Sequence, residues 1–166
     1  MEEGTFRRYP IGIQDFEDLR NNNYIYVDKT ALIYQLVNTN KIYFLSRPRR
    51  FGKSLFISTL ACYYDRTKAD RFEELFGGTW IGEHPTEEHN RYMIVRYDFS
   101  KMVMADDMEG LERNFNDLNR SPVEIMVTHN RDLFKDFQFS SKKEASKMLE
   151  EALGYAREHG LPKVYV

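Results

Sequence analysis

Lys53 and Ser54 follow Gly52 directly in the stretch LSRPRRFGKSLF, residues 45–56. A lysine and then a hydroxyl after a glycine are the end of a phosphate-binding loop. In such a loop a strand ends, backbone N–H groups turn inward, and a helix starts with the positive end of its dipole facing the anion. The lysine reaches the terminal phosphates and the hydroxyl takes Mg²⁺. The start of the stretch departs from that pattern, because Arg47 stands where the first glycine belongs. Pro48 fixes its own φ and biases Arg47 toward extended backbone, so proline is expected to build the turn in place of glycine. Arg47, Arg49 and Arg50 put three cations within four residues, close to Lys53. That concentration of like charge calls for an anion. Nucleotide phosphates are one candidate and a nucleic-acid backbone is the other, with a merely solvated basic loop as the bland reading.

The loop needs a strand before it and a helix after it. Lys41 to Leu45 (KIYFL) is a short apolar run of the length of a buried strand. Lys53 to Tyr64 reads as a helix apolar nearly all round, and so as one enclosed on most sides. Upstream, Gln14 to Arg20 reads as a short helix and Tyr24 to Val27 as an extended piece. Asp28 is an N-cap for a helix over 29–37. Downstream, the pattern predicts a helix over 70–76 closed by Gly77-Gly78, a loop over 80–90, and a strand over 92–99 (YMIVRYDF). A helix over 106–118 follows, with Met108, Leu111, Phe115 and Leu118 on one stripe. Ser121-Pro122-Val123-Glu124 reads as a capping box that opens a separate helix reaching Phe134. Ser141 to Glu144 reads as another, opening a helix with Ala145, Met148, Leu149, Ala152, Tyr155 and Ala156 on one face. Gly160 and Pro162 stop that helix, and Lys163 to Val166 (KVYV) starts a third strand. Strands alternating with helices predict an α/β fold with a parallel sheet and right-handed crossovers.

The bulk of the chain narrows the classes. Its 166 residues suit one domain of ordinary size, and 42% hydrophobic with 30% charged residues suit a packed core. The net charge of −2 advertises neither nucleic acid nor membrane, though a local basic patch remains open. One cysteine, Cys62, excludes an internal disulfide and fits a reducing cytoplasm. The N-terminal residues lack the apolar stretch of a signal peptide, and no run is long enough to span a bilayer. A soluble cytoplasmic protein is expected.

The remaining candidates weigh toward structure. Asp98, at the end of the second predicted strand, either orients Mg²⁺ or water or caps the loop that follows. Asp28 is a helix cap or lines a nucleotide base, and Tyr24 and Tyr26 stack on a base or lie in the core. His84, His89, His129 and His159 lack metal-ligand spacing and read as solvated. Cys62 reads as an inert core thiol.

RPRRFGKS, residues 47–54, is a specific string. With Tyr9-Pro10-Ile11-Gly12, Tyr26-Val27-Asp28-Lys29-Thr30, Leu45 to Leu60 and Val95-Arg96-Tyr97-Asp98-Phe99-Ser100, in that order, it resembles the bacterial and archaeal AAA-ATPase-like family of P-loop proteins. Arginine in place of the first glycine is a habit of that family. The resemblance implies a P-loop NTPase-like α/β fold, a three-layer αβα sandwich on a parallel sheet. An N-terminal lead with a capping helix would occupy 1–40 and the P-loop core 41–166. ATP and Mg²⁺ are the implied cofactors. Lys53 would be the catalytic lysine on the β- and γ-phosphates and Ser54 the metal ligand. Arg49, Arg50, Phe51, Gly52 and the Leu55 backbone N–H would complete the cradle.

The same resemblance makes Lys163 to Val166 the first half of a Walker B strand. Its acids would lie beyond Val166, which leaves the sheet incomplete and hydrolysis impaired. Marginal stability, dependence on a partner, or repacking of Lys163 to Val166 against the P-loop strand is the expected consequence. Relatives often carry a PD-(D/E)XK nuclease-like domain, so the expected partners are nucleotide, such a domain, nucleic acid, and further copies of the chain. The alternative function is a nucleic-acid-backbone or interaction module working through the RPRR loop.

Overall fold

Residues 7–39, 44–46, 48, 50–140 and 144–166 are described by the computed structural model. The chain divides into two units, residues 1–90 and 91–166.

In the first unit, α1 (Phe16–Asn21) begins after Asp15, whose carboxylate accepts from the Asp18 N–H at 3.0 Å. The sequence pattern places this start at Gln14; Asp15, as a cap, delays it. The second oxygen of Asp15 accepts from Ser58 Oγ at 2.9 Å, and Ser58 Oγ accepts from the Phe16 N–H at 3.0 Å. Ser58 belongs to α3 (Lys53–Tyr64), so one buried hydroxyl ties the two helices together.

Between them, α2 (Ala31–Thr39) opens behind Asp28, which accepts from the Thr30 N–H at 2.8 Å. α3 covers the predicted residues, but it is not enclosed all round. Ser58, Thr59, Cys62, Tyr63 and Tyr64 are buried, whereas Ile57 is exposed and Leu55 and Phe56 are half-buried. The helix expected over 70–76 is split into a 3-10 turn at Arg66–Arg71, capped by Asp65, and α4 (Phe72–Phe76).

The region expected to be loop contains α5 (Trp80–Glu83). Its first three N–H groups are all taken by side chains. Trp80 donates to Asp28 Oδ2 at 2.7 Å, Ile81 to Thr30 Oγ1 at 3.0 Å and Gly82 to Thr79 Oγ1 at 3.2 Å. A single turn has no periodicity to read, and two of its three caps come from residues about fifty positions upstream. Phe16, Leu19, Ile33, Tyr63, Leu75, Phe76 and Ile81 are fully buried and form the core of this unit. Phe76 packs on Phe16 and Tyr63, with ring centroids 5.0 and 5.6 Å apart.

In the second unit, β1 (Met93–Ile94) pairs in parallel with β2 (Val164–Tyr165), Met93 opposite Val164 and Ile94 opposite Tyr165. Between the strands lie α6 (Met108–His129) and α7 (Ala145–Glu158). The parallel pair with its helical crossover is a mixed α/β arrangement. The strand expected over 92–99 is confined to Met93–Ile94, and Asp98 turns the chain into a 3-10 segment at Phe99–Lys101, accepting from the Ser100 N–H and hydroxyl. Val164 and Tyr165 pair with β1. The segment before the P-loop, expected as a strand over 41–45, lies largely outside the described residues, and Phe44 and Leu45 are irregular and exposed.

Two predicted helices prove to be one. α6 runs through Ser121 and Pro122 without a break, so the capping box is not used. Pro122 has no N–H to give the ladder, a loss of about 3 kcal/mol in a helix interior. Burial of Val123, Met126 and Val127 on the next turn carries the helix through. Asp107 caps the start, accepting from the Gly110 N–H at 2.6 Å. The predicted Met108–Phe115 stripe is not the buried face, since Met108 and Phe115 are exposed.

The second predicted capping box falls on 141–143, outside the described residues; Glu144 precedes α7 without capping it and pairs with Lys147 at 3.0 Å. Ala145, Met148, Ala152 and Ala156 bury the predicted face. At the far end Gly160 has φ +61°, its N–H meets the Arg157 carbonyl, and the Leu161 N–H meets the Ala156 carbonyl at 2.8 Å. This is the Schellman closure that a glycine one residue past the helix cap permits. Among the described residues, no helix is long and apolar enough to cross a membrane.

Candidate phosphate-binding site

Gly52 sets the geometry of the loop. It has φ +75°, ψ +21°, and is the N-cap of the twelve-residue α3. Only glycine adopts this left-handed conformation without strain, and a Cβ here would meet nothing within 4 Å. Backbone conformation, not crowding, therefore selects glycine. The first bond of α3 runs from the Phe56 N–H to the Gly52 carbonyl at 2.9 Å. The N–H groups of Lys53, Ser54 and Leu55 thus occupy the turn where a helix offers donors no intrahelical acceptor.

Arg50 is left-handed too, with φ +66°. The turn expected from Pro48 thus contains two left-handed residues on either side of Phe51. For arginine that conformation costs on the order of 1–2 kcal/mol. Nothing in the sequence pattern signals it. Arg47 and Arg49 lie outside the described residues; Arg50 and Phe51 are exposed.

Lys53 does not reach into solvent. Its Nζ donates to the Pro48 carbonyl at 2.9 Å, so the side chain folds back across the loop. The cleft it helps to line, with Lys29, Leu32, Leu45, Phe51, Gly52 and Phe56, has a volume of about 40 Å³. That is room for little more than one water. An anion of any size must lift Lys53 from Pro48.

The comparisons with known proteins meet this geometry. The model of the AAA-ATPase-like family, described as a predicted AAA-ATPase, matches residues 10–166. The chain belongs to the AAA-ATPase-like family. It is 38% identical over 125 residues to an uncharacterized protein encoded in the vnfD 5' region of Azotobacter chroococcum mcd 1. The match covers 74% of this chain and 23% of that protein, so the chain spans about a quarter of that relative's length. No solved structure matches.

Other candidate residues of this AAA-ATPase-like chain are tied into structure. Asp28 holds the turn before α2, accepting from the Thr30 N–H, so that the helix starts at Ala31 rather than at 29; it also caps α5, where Thr30 Oγ1 joins it. Asp98 holds its turn, and its hydrogen bonds from Ser100 keep the carboxyl below its ordinary range. Tyr26 is half-buried; burial pushes its phenol up, against a hydrogen bond with Thr59. Cys62 is buried, and desolvation, aided by the charges of Asp15 and Glu17, pushes its thiol up to about 12. It is un-ionised and inert at neutral pH.

Of the histidines expected to be solvated, His84 and His159 are exposed and stack on Trp80 and Tyr155, whereas His89 is half-buried and lies tilted against Phe72. No group of three His, Cys, Asp or Glu side chains among the described residues has the arrangement of a metal site. Lys29, which the loop motif does not include, lines the loop cleft and a larger cavity.

Proposed function

We propose that this chain binds ATP with Mg²⁺ on the Arg49–Leu55 loop. The observation that carries the reading is Gly52: a left-handed glycine opens a long helix, and Lys53 and Ser54 follow at once. Lys53, released from the Pro48 carbonyl, contacts the β- and γ-phosphates. The N–H groups of Gly52 to Leu55 line the anion, with Arg49, Arg50 and Phe51 shaping the loop. Ser54 is half-buried on the first turn of α3. Its hydroxyl is the hard oxygen donor that Mg²⁺ takes, in a coordination shell otherwise made of phosphate and water. When bound, the ion neutralises charge on the phosphates. A three-layer P-loop core around 41–166 is the architecture that goes with this reading.

Binding is expected to outrun hydrolysis. Asp15, Asp28 and Asp98 are engaged as helix and turn caps, which leaves none of them to orient an attacking water. Calorimetry with ATP·Mg²⁺ on the wild type and on Lys53→Ala tests the reading. Binding lost by about a hundredfold in the variant, roughly 2.7 kcal/mol, supports it. Equal affinity in both proteins refutes it. Binding of an oligonucleotide instead, falling steeply with salt, would replace it with the nucleic-acid reading.

A further inference from the structure

The second unit holds a cleft of its own, about 420 Å³ in volume. Two stretches of chain line it. Glu124, Val127, Thr128 and Arg131 recur at spacings of three and four, so they share one face along the end of α6 and the turn after it. Phe137, Gln138 and Phe139 make the other wall.

The apolar part of the lining is fixed. Val127 and Phe137 are buried and Phe139 is half-buried. The Phe137 ring meets Phe139 edge-on at 4.9 Å, Tyr155 at 5.1 Å and Phe134 at 5.4 Å, so three rings hold it in place.

The polar part centres on one cation. Arg131 Nη1 donates to the Phe137 carbonyl at 3.0 Å, which ties the guanidinium from one wall to the other. Among the described residues no carboxylate pairs with Arg131, so the rest of its fork of N–H groups is open to a ligand. The Thr128 hydroxyl and the Gln138 amide have no partner among the described residues either. Of the backbone groups, the Phe137 N–H goes to the Phe134 carbonyl at 3.2 Å and the Thr128 carbonyl takes the Arg131 N–H at 3.3 Å. The N–H groups of Gln138 and Phe139 are unpaired among the described residues. Glu124 lies two helical turns back from Arg131, about 10 Å along the axis, and puts a negative charge at the far end.

We propose that this cleft binds a small monocarboxylic acid with a flat apolar body. The carboxylate accepts from the Arg131 fork, whose planar geometry matches two parallel bonds. The body lies against Val127, Phe137 and Phe139. Glu124 repels a second negative charge, which makes a phosphate dianion the poorer ligand. The volume falls in the range of about 300–1,000 Å³ that encloses a small molecule. Every lining residue belongs to the second unit, so the proposal stands apart from the Arg49–Leu55 loop.

The test is calorimetry on the whole chain with 3-phenylpropanoate, indole-3-acetate, 3-phenylpropanamide and phenyl phosphate. The phenylpropanoate is expected to bind at least about tenfold tighter than its neutral amide, and phenyl phosphate no tighter than the acid. Arg131→Gln is expected to remove the advantage of acid over amide. Arg131→Lys keeps the charge but not the fork, and is expected to restore only part of it. Thr128→Trp fills the cleft from an exposed position and leaves the Arg131 bond to Phe137 untouched. It is expected to weaken acid and amide alike by at least about tenfold, and it carries the test if Arg131→Gln melts early.

Equal affinity for acid and amide, or an acid advantage that survives Arg131→Gln, overturns the proposal. So does binding that Thr128→Trp leaves unchanged, or failure of both aromatic acids to bind the folded wild type. Phenyl phosphate binding about tenfold tighter than the acid overturns the carboxylate assignment in favour of a phosphate ligand.

Discussion

The last two turns of α3 bury Ser58, Thr59, Cys62, Tyr63 and Tyr64, and hold α1 through Ser58 and Asp15. Its first turn is open. There Gly52 and Arg50 are left-handed, Lys53 lies across its own loop, and Phe51 is exposed. One helix thus has an end fixed by packing and an end set by the left-handed backbone of Arg50 and Gly52 and by the Lys53 bond to Pro48. The contrast separates two kinds of residue. Side chains at the packed end set stability, whereas those at the open end are less buried and are expected to contribute little to it.

Substitutions at the packed end test that division most severely. Tyr63 is fully buried, meets Tyr64, Phe72, Phe76 and His89, and exchanges hydrogen bonds with Thr86. Tyr63→Ala is expected to cost about 3–5 kcal/mol in a urea titration. A loss below about 1 kcal/mol would mean that this end is not packed as described.

Lys53→Ala is the counterpart at the open end. It is expected to abolish nucleotide binding while moving stability by no more than about 0.5 kcal/mol. A large fall in melting temperature would erase the distinction between the ends.

Ser58→Ala should cost about 1–3 kcal/mol, because it leaves the buried Phe16 N–H without its acceptor. Arg50→Gly has the opposite sign. Relief of the left-handed conformation should raise stability by about 0.5–1 kcal/mol. If nucleotide affinity drops in the same protein, Arg50 holds a strained conformation that serves the ligand.

The smallest effect concerns pH. Burial pushes the Glu17 carboxyl up, but hydrogen bonds and charge from Lys68 and Arg71 outweigh it and set the group below its ordinary 4.5. A depressed carboxyl stabilises the fold above the unfolded value and loses that stabilisation as pH falls through the folded one. Wild type should therefore weaken below pH 4.5 more than Glu17→Gln does, by a margin that solvent screening keeps small. Parallel pH profiles would show that this surface network contributes nothing.

Legibility followed the range of the forces. The α3 helix, the buried face of α7 and the Gly160 stop could be read from the chain, because each rests on spacing or on one residue's backbone freedom. The single helix α6 could not. Ser121-Pro122-Val123-Glu124 carries a true local start signal, and only burial of Val123, Met126 and Val127 overrides it. α5 was invisible for a related reason, since its caps Asp28 and Thr30 come from another part of the chain. In the candidate loop, Gly52, Lys53 and Ser54 are legible as types at a fixed spacing. The larger of the two cavities that Lys29 lines is not.

The sequence by itself determined the family, the residue types of the loop and the helix that follows it. These depend on neighbours within a few residues, where residue type and spacing decide backbone conformation. The tertiary structure alone decided which helix faces are buried, that Asp28 serves two helices, that Lys53 rests on Pro48, and that Lys29 lines two cavities. Those facts depend on segments tens of residues apart meeting in space, and no local pattern encodes that meeting.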